Sequence, residues 1–131
     1  GANYGWPKAV GAPGLDTYRD PIMMFPHPHL PPAGMAFSRV FERGQGSLSL
    51  FVGSLRGETL LRGRFNQDEK LRHIERWFET DFFTGRLGRL RAVARGPRGH
   101  LYIATSNRDG RGDPQPRDDR IIRLSPHPGQ N

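Results

Sequence analysis

At 131 residues the chain has the length of one ordinary domain, so two independent cores are not expected. Lys plus Arg at 20 against Asp plus Glu at 13 leaves a formal charge of +7, which invites a nucleic-acid partner, while an apolar fraction of 34% with no unbroken apolar run of about 18 residues excludes a membrane-spanning helix. The absence of cysteine removes disulfides, iron–sulfur clusters, thiol nucleophiles and Cys-based zinc sites together.

With 17 Gly, 12 Pro, 8 Phe, 3 Tyr and 2 Trp, the composition suits a loop-rich β protein. The chain opens at Gly1 without a basic and apolar leader, so no signal peptide is read within it. Pro7, Pro13, Pro21, Pro26, Pro28, Pro31 and Pro32 crowd the first 34 residues. They deny ladder donors and favour extended or turn backbone, so 1–34 reads as a loop-rich lead-in.

From Met35 the pattern changes to strand-length pieces over 35–40, 48–55, 59–65 and 72–78, each bounded by Gly or polar turn residues. In 67–79, Leu71, Ile74, Trp77 and Phe78 also fit helical spacing; the strand is preferred because a meander needs its fourth member there. A second group over 88–94, 100–105 and 120–124 gives three strands, with a turn at Gly96-Pro97-Arg98-Gly99 and a polar excursion over 106–119.

Polar and apolar positions exchange in Thr59-Leu60-Leu61-Arg62-Gly63-Arg64-Phe65 and in Arg89-Leu90-Arg91-Ala92-Val93-Ala94-Arg95, as expected of sheets buried on one face. Met35 and Phe37 are assigned to the core, and Tyr4 and Trp6 to packing beneath a turn. Four-stranded units of about 40–45 residues stack radially as propeller blades. The expected class is therefore all-β, an incomplete β-propeller comprising about its last two blades. Residues 35–79 form one blade, and 86–125 the last blade, lacking a closing strand that would lie upstream of Gly1.

Chemistry-bearing signals outside this frame are weak. His27 and His29 stand two apart in a proline-rich loop with no third ligand nearby. His73, His100 and His127 have no partner at triad spacing. The run 107–113 lacks the Asp-x-Asp-x-Asp-Gly order of a calcium loop and reads as a Gly-rich turn whose Asp and Asn cap their own backbone; its Arg111-Gly112-Asp113 tripeptide is discounted. The cations are mostly Arg, dispersed rather than massed in a stripe with interleaved aromatics, which argues against nucleic acid.

Several segments in order carry a resemblance: Asn3-Tyr4-Gly5-Trp6-Pro7, Pro32-Ala33-Gly34-Met35-Ala36-Phe37, Leu50-Phe51-Val52-Gly53-Ser54-Leu55-Arg56-Gly57 and Gly88-Arg89-Leu90-Arg91-Ala92-Val93. Gly96-Pro97-Arg98-Gly99-His100-Leu101-Tyr102, Thr105-Ser106-Asn107-Arg108-Asp109-Gly110-Arg111-Gly112 and Asp118-Asp119-Arg120-Ile121-Ile122-Arg123-Leu124 extend it over nearly the whole chain. Together they resemble the C-terminal part of the soluble sugar dehydrogenases that use pyrroloquinoline quinone (PQQ), the glucose/sorbosone dehydrogenase family.

The resemblance implies a six-bladed propeller holding PQQ and a Ca2+ ion, and oxidation of an aldose at C1 to a lactone, with electrons passed to an external acceptor. It implies cofactor contacts from Arg89 and Arg91, the family's Arg-x-Arg pair, and from Arg56. The spacing adds that Arg89 and Arg91 share one face of a strand, and guanidinium forks suit the quinone's three carboxylates. Tyr4 lies in a turn that the resemblance connects with a calcium site. The stretch 28–33 matches the cleft lining, with Phe25 or Pro26 where an aromatic is usual, and Ala92 stands where several members carry Asp. The catalytic base, a His, is implied on an earlier blade, so no catalytic residue is assigned here and the chain alone is expected to be inactive. A periplasmic or secreted location and a sugar substrate follow from the same resemblance, and a non-catalytic propeller serving as a binding module is the alternative.

Overall fold

A computed structural model of the protein describes residues 1–24, 30–39, 41, 48–66, 68, 70–77 and 86–126. Residues 1–24 form turns, bends and irregular backbone without strand or helix, tied by Arg19 N–H donating to Asn3 O at 2.8 Å and Ala9 N–H to Gly5 O at 2.8 Å. Tyr4 and Trp6 do not pack beneath this turn: Trp6 is 80% exposed and Tyr4 55%. The buried member of the motif is Gly5, whose missing side chain leaves room for the Tyr18 ring and Ala9.

Among the described residues seven strands follow, in two antiparallel sheets. The first sheet runs in sequence order through β1 (Pro32–Ser38), β2 (Leu48–Ser54), β3 (Leu60–Phe65) and β4 (Leu71–Trp77). The second holds β5 (Leu90–Arg95), β6 (Leu101–Thr105) and β7 (Ile121–Leu124), with a 3-10 turn at Pro97–Gly99 between β5 and β6. No α-helix occurs among the described residues. The ambiguous 67–79 segment therefore resolves as strand over Leu71–Trp77. Its edge position beside β3 supplies the ladder partners that helical spacing alone cannot offer. Phe25, Pro26, His27, Pro28, His29, Val40, Phe78 and His127 lie outside the described residues.

The sheets pack face to face. Phe51 and Leu60 from the first meet Leu90, Val93, Leu101 and Ile103 from the second, and none of the six is more than 6% exposed. Each such side chain contributes about 1.5–3 kcal/mol on burial. The expectation of a sheet buried on one face needs correction for β2 and β3. Leu50, Val52 and Leu61 point away from the second sheet, yet they too are buried, beneath Leu30 and Met23 of the lead-in. Apolar residues thus run continuously along Leu50-Phe51-Val52 and at Leu60-Leu61, because a strand covered on both faces has no side to leave polar.

Met35 and Phe37, expected in the core, are 58% and 50% exposed. In β1 it is Ala36 and Gly34 that face the second sheet. A Cβ on Gly34 would lie 2.7 Å from both Ala92 Cα and Val93 N, so the backbones of β1 and β5 approach too closely for a large side chain. The alternation of β1 then turns its bulky residues outward, where Phe37 meets Phe65 edge-on at 5.9 Å.

β5 departs from simple alternation as well. Leu90 pairs with Thr105 and Ala92 with Ala104, leaving Arg91 as an extra residue, a β-bulge. Leu90 and Val93, three apart, can therefore both enter the core. A bulge also re-aims the side chain it carries.

Candidate functional site: an arginine pair on one carboxylate

Arg89 immediately precedes β5 and Arg91 is its bulged residue, and the two side chains converge without the regular alternation that their spacing assumed. Arg89 donates through Nε and Nη2 to Asp109 Oδ2 at 3.2 and 2.9 Å, and Arg91 Nη2 reaches the same oxygen at 2.9 Å. Ser106 bridges the group, its hydroxyl donating to Asp109 Oδ2 at 3.3 Å while accepting from Arg91 Nε at 2.8 Å. Four donors thus meet one carboxylate oxygen, and Arg111 N–H donates to the other at 3.0 Å.

The two arginines are not equally placed. The Arg89 side chain is 9% exposed and that of Arg91 52%. Arg89 is clamped from several sides. Its backbone N–H donates to Asn107 Oδ1 at 2.8 Å, its carbonyl accepts from Ser106 N–H at 2.9 Å, and Gly112 folds over its stem. A Cβ on Gly112 would sit 2.8 Å from Arg89 Cδ.

The excursion after β6 carries this arrangement. Asn107, 2% exposed, donates through Nδ2 to Leu87 O at 3.0 Å and to Asp118 Oδ2 at 2.8 Å. Asp118 also accepts from Gln115 N–H at 2.8 Å and from Arg120 Nε at 3.0 Å. Asp119 Oδ1 takes Asn107 N–H, and Thr105 Oγ1 takes Arg120 N–H. The expectation that Asp and Asn here cap their own backbone holds for Asp109 with Arg111; Asn107 instead ties the loop across to β5. No buried side-chain polar atom among the described residues lacks a partner, so the loop is a satisfied polar network, which is what rigidity requires.

Electrostatics follow from the same contacts. The Arg89 hydrogen bonds hold the Asp109 carboxyl down, to about 2, against the opposing pull of burial, with Arg111 N–H and Arg91 assisting. Asp118 is also held below the ordinary carboxylate range, first by Gln115 N–H, against burial, then by Asn107 and Arg120. Both are anions at neutral pH, and the Arg89–Arg91–Asp109 group carries a net single positive charge.

Arg56 lies in the turn between β2 and β3, exposed and without a hydrogen-bond or ion partner among the described residues. That turn is built by Gly57 N–H donating to Ser54 Oγ at 3.1 Å and Ser54 N–H to Thr59 O at 3.0 Å. A Cβ on Gly53 would sit 3.0 Å from Leu90 O, so the end of β2 backs onto the start of β5. Arg56 and the arginine pair therefore stand at the same end of the packed sheets. Tyr4 is exposed in the lead-in, and no group of three His, Asp or Glu side chains suited to a metal occurs among the described residues. Among the described residues no helix is long and apolar enough to cross a membrane.

Asp109, Ser106 and Asn107 escaped the sequence reading as site residues. The available signal was the placing of carboxylates in an Arg-rich chain within one polar excursion, but only the fold shows which Arg each one faces.

A family model described as Glucose / Sorbosone dehydrogenase matches residues 1–123. Among solved structures, the PQQ-bound form of an aldose sugar dehydrogenase from Streptomyces coelicolor is 34% identical with a TM-score of 0.78, over 95% of this chain and 34% of that one. A putative oxidoreductase (glucose dehydrogenase) from Thermus thermophilus is 40% identical with a TM-score of 0.75, over 94% of this chain and 33% of that one. No curated protein sequence matches significantly. The chain spans about a third of the length of the structures it resembles. Its two open, antiparallel sheets are part of an incomplete β-propeller, and the chain belongs to the glucose/sorbosone dehydrogenase family.

Proposed function

We propose that this chain supplies the basic, cofactor-holding portion of a PQQ-dependent aldose dehydrogenase that oxidises its sugar at C1 to a lactone. The observation that carries the reading is the half-exposed Arg91 guanidinium, held by Asp109 and Ser106 beside Arg89 in a member of this family. Arg91 has Nε and Nη2 committed to the protein, and Nη1 has no hydrogen-bond partner among the described residues. A planar fork with one edge fixed and one edge available suits a carboxylate-bearing ligand. Arg56, exposed at the same end of the sheets, adds a second positive group. Arg89, largely buried, contributes charge and holds the arrangement in place.

When bound, the quinone supplies the acceptor for hydride from the sugar. The residues of this chain bind and orient; the resemblance assigns the proton-accepting His to an earlier blade. For calcium the described residues do not form a ligand set: Tyr4 stands without a carboxylate cluster, and hard cations take several oxygen ligands. The calcium of this reading therefore rests on the family resemblance alone, with Tyr4 as its candidate contributor here. The sheet units 35–79 and 86–125 correspond in this reading to one blade and to a last blade short of its closing strand. A periplasmic or secreted location and an external electron acceptor belong to the same proposal.

The test is titration of the longest natural polypeptide containing this chain with PQQ and Ca2+, followed by glucose and a dye acceptor. Quinone binding with dye reduction is the expected outcome. A folded protein that binds no quinone would overturn the reading and leave a propeller that serves as an interaction scaffold.

A further inference from the structure

We infer that Asp109 is the positioning residue of the arginine pair: by gathering Arg89, Arg91 and Ser106 on one carboxylate oxygen, it fixes the direction in which Arg91 presents its guanidinium to an anionic ligand. This rests on the reading of Arg91 as a cofactor contact. Two guanidiniums brought to the same point repel, and an isolated Arg-x-Arg pair would splay into solvent. A single anion between them removes that repulsion and converts it into a set of short charge-assisted bonds. The contacts at 2.9 Å from both Nη2 atoms, with Ser106 at 2.8 Å from Arg91 Nε, leave the exposed guanidinium one orientation rather than many.

The carboxylate is itself fixed. Arg111 N–H holds its second oxygen, and the chain on either side is pinned by Asn107 to Arg89 and by Gly112 over the Arg89 stem. Arg89 thus acts as a buried strut and counter-charge, and Arg91 as the exposed arm. Preorganisation of this kind lowers the cost of ordering a long side chain when the ligand arrives.

At Asp109 charge and geometry act in opposite directions on ligand binding. Asp109→Asn raises the local charge by one, so electrostatics alone would tighten binding of a tricarboxylate. Loss of orientation would weaken it. We would measure the PQQ dissociation constant by fluorescence quenching, at fixed salt, in the longest natural polypeptide containing this chain, for wild type, Asp109→Asn and Arg91→Ala, with thermal melts confirming folding.

Weakening of about tenfold in Asp109→Asn, despite the added positive charge, together with weakening in Arg91→Ala, is the expected result. Unchanged or tighter binding in Asp109→Asn, with Arg91→Ala weakened, would overturn the positioning role while leaving the clamp intact. Unchanged binding in Arg91→Ala would overturn the clamp, and this inference with it. Should Asp109→Asn fail to fold, Ser106→Ala decides. It removes the bridge between Arg91 Nε and the carboxylate without altering charge, so weakening of about threefold or more supports positioning and an unchanged constant refutes it.

Discussion

Asp109 accepts from two arginines 18 and 20 residues away and from a serine three residues away, and its lowered pKa makes the arrangement sensitive to pH in a defined window. With its folded pKa at about 2, below the ordinary 3.8, the carboxylate contributes stability that is complete above about 4 and lost as pH falls toward 2. Asp118 shifts in the same direction and adds to the effect. Acid titration of folding should therefore show a loss over that interval that is smaller in Asp109→Asn than in wild type. At the ligand, Arg91→Ala should weaken quinone binding by about tenfold or more, read by direct titration, because a hydrogen-bonded charge is removed from the exposed arm of the pair. Arg91→Lys should recover only part of it, since an ammonium cannot hold Asp109 with one edge and a ligand carboxylate with the other. A shared direction for Arg89 and Arg91 was legible from their two-residue spacing, though by a strand alternation that the bulge at Arg91 breaks. Their partner was not, because Asp109 lies 18 residues beyond Arg91 in a loop whose path no local pattern encodes.

Among the elements, the contact between β1 and β5 decides how the two sheets meet. Gly34→Val should destabilise the fold by about 1–3 kcal/mol in denaturant titration. Its new side chain would be driven into backbone atoms of Ala92 and Val93, which have no soft direction in which to yield. Leu90→Ala, at a fully buried position, should cost about 2–5 kcal/mol through lost burial and the cavity left behind. Strand positions were readable because Gly, Pro and polar turns punctuate the chain at strand length. The orientation of β1 was misread because hydrophobicity alone favours Met35 and Phe37 as core. The decisive quantity was interstrand clearance, which admits Ala36 and Gly34 and rejects larger neighbours. The bulge at Arg91 was hidden for a related reason. The polar and apolar order in 89–95 looks regular, and only pairing with β6 shows one residue too many.

Over the whole molecule, apolar surface remains in view: Met35, Phe37 and Ile74 on the first sheet and Ile121 on the second are all at least 44% exposed. Phe37 and Ile74 lie on the same side of the sheet as Leu50, on the two edge strands that border the strip covered by Leu30 and Met23. This chain expressed by itself should accordingly bind an apolar dye such as ANS, and a longer natural product containing it should bind markedly less per chain. Equal dye binding in both would show that the face stays open. Length, proline placement and strand-sized runs determined by themselves that the chain is all-β, loop-rich at its start and built of two sheets, because backbone donors and side-chain alternation are local properties. Ordered motifs carried the family. Only the tertiary structure decided which strand faces which, that β2 is buried on both sides, that a bulge re-aims Arg91, and that one distant carboxylate holds the arginine pair. Those outcomes depend on close approach and charge pairing between segments far apart in sequence, where the local pattern holds no record of the partner.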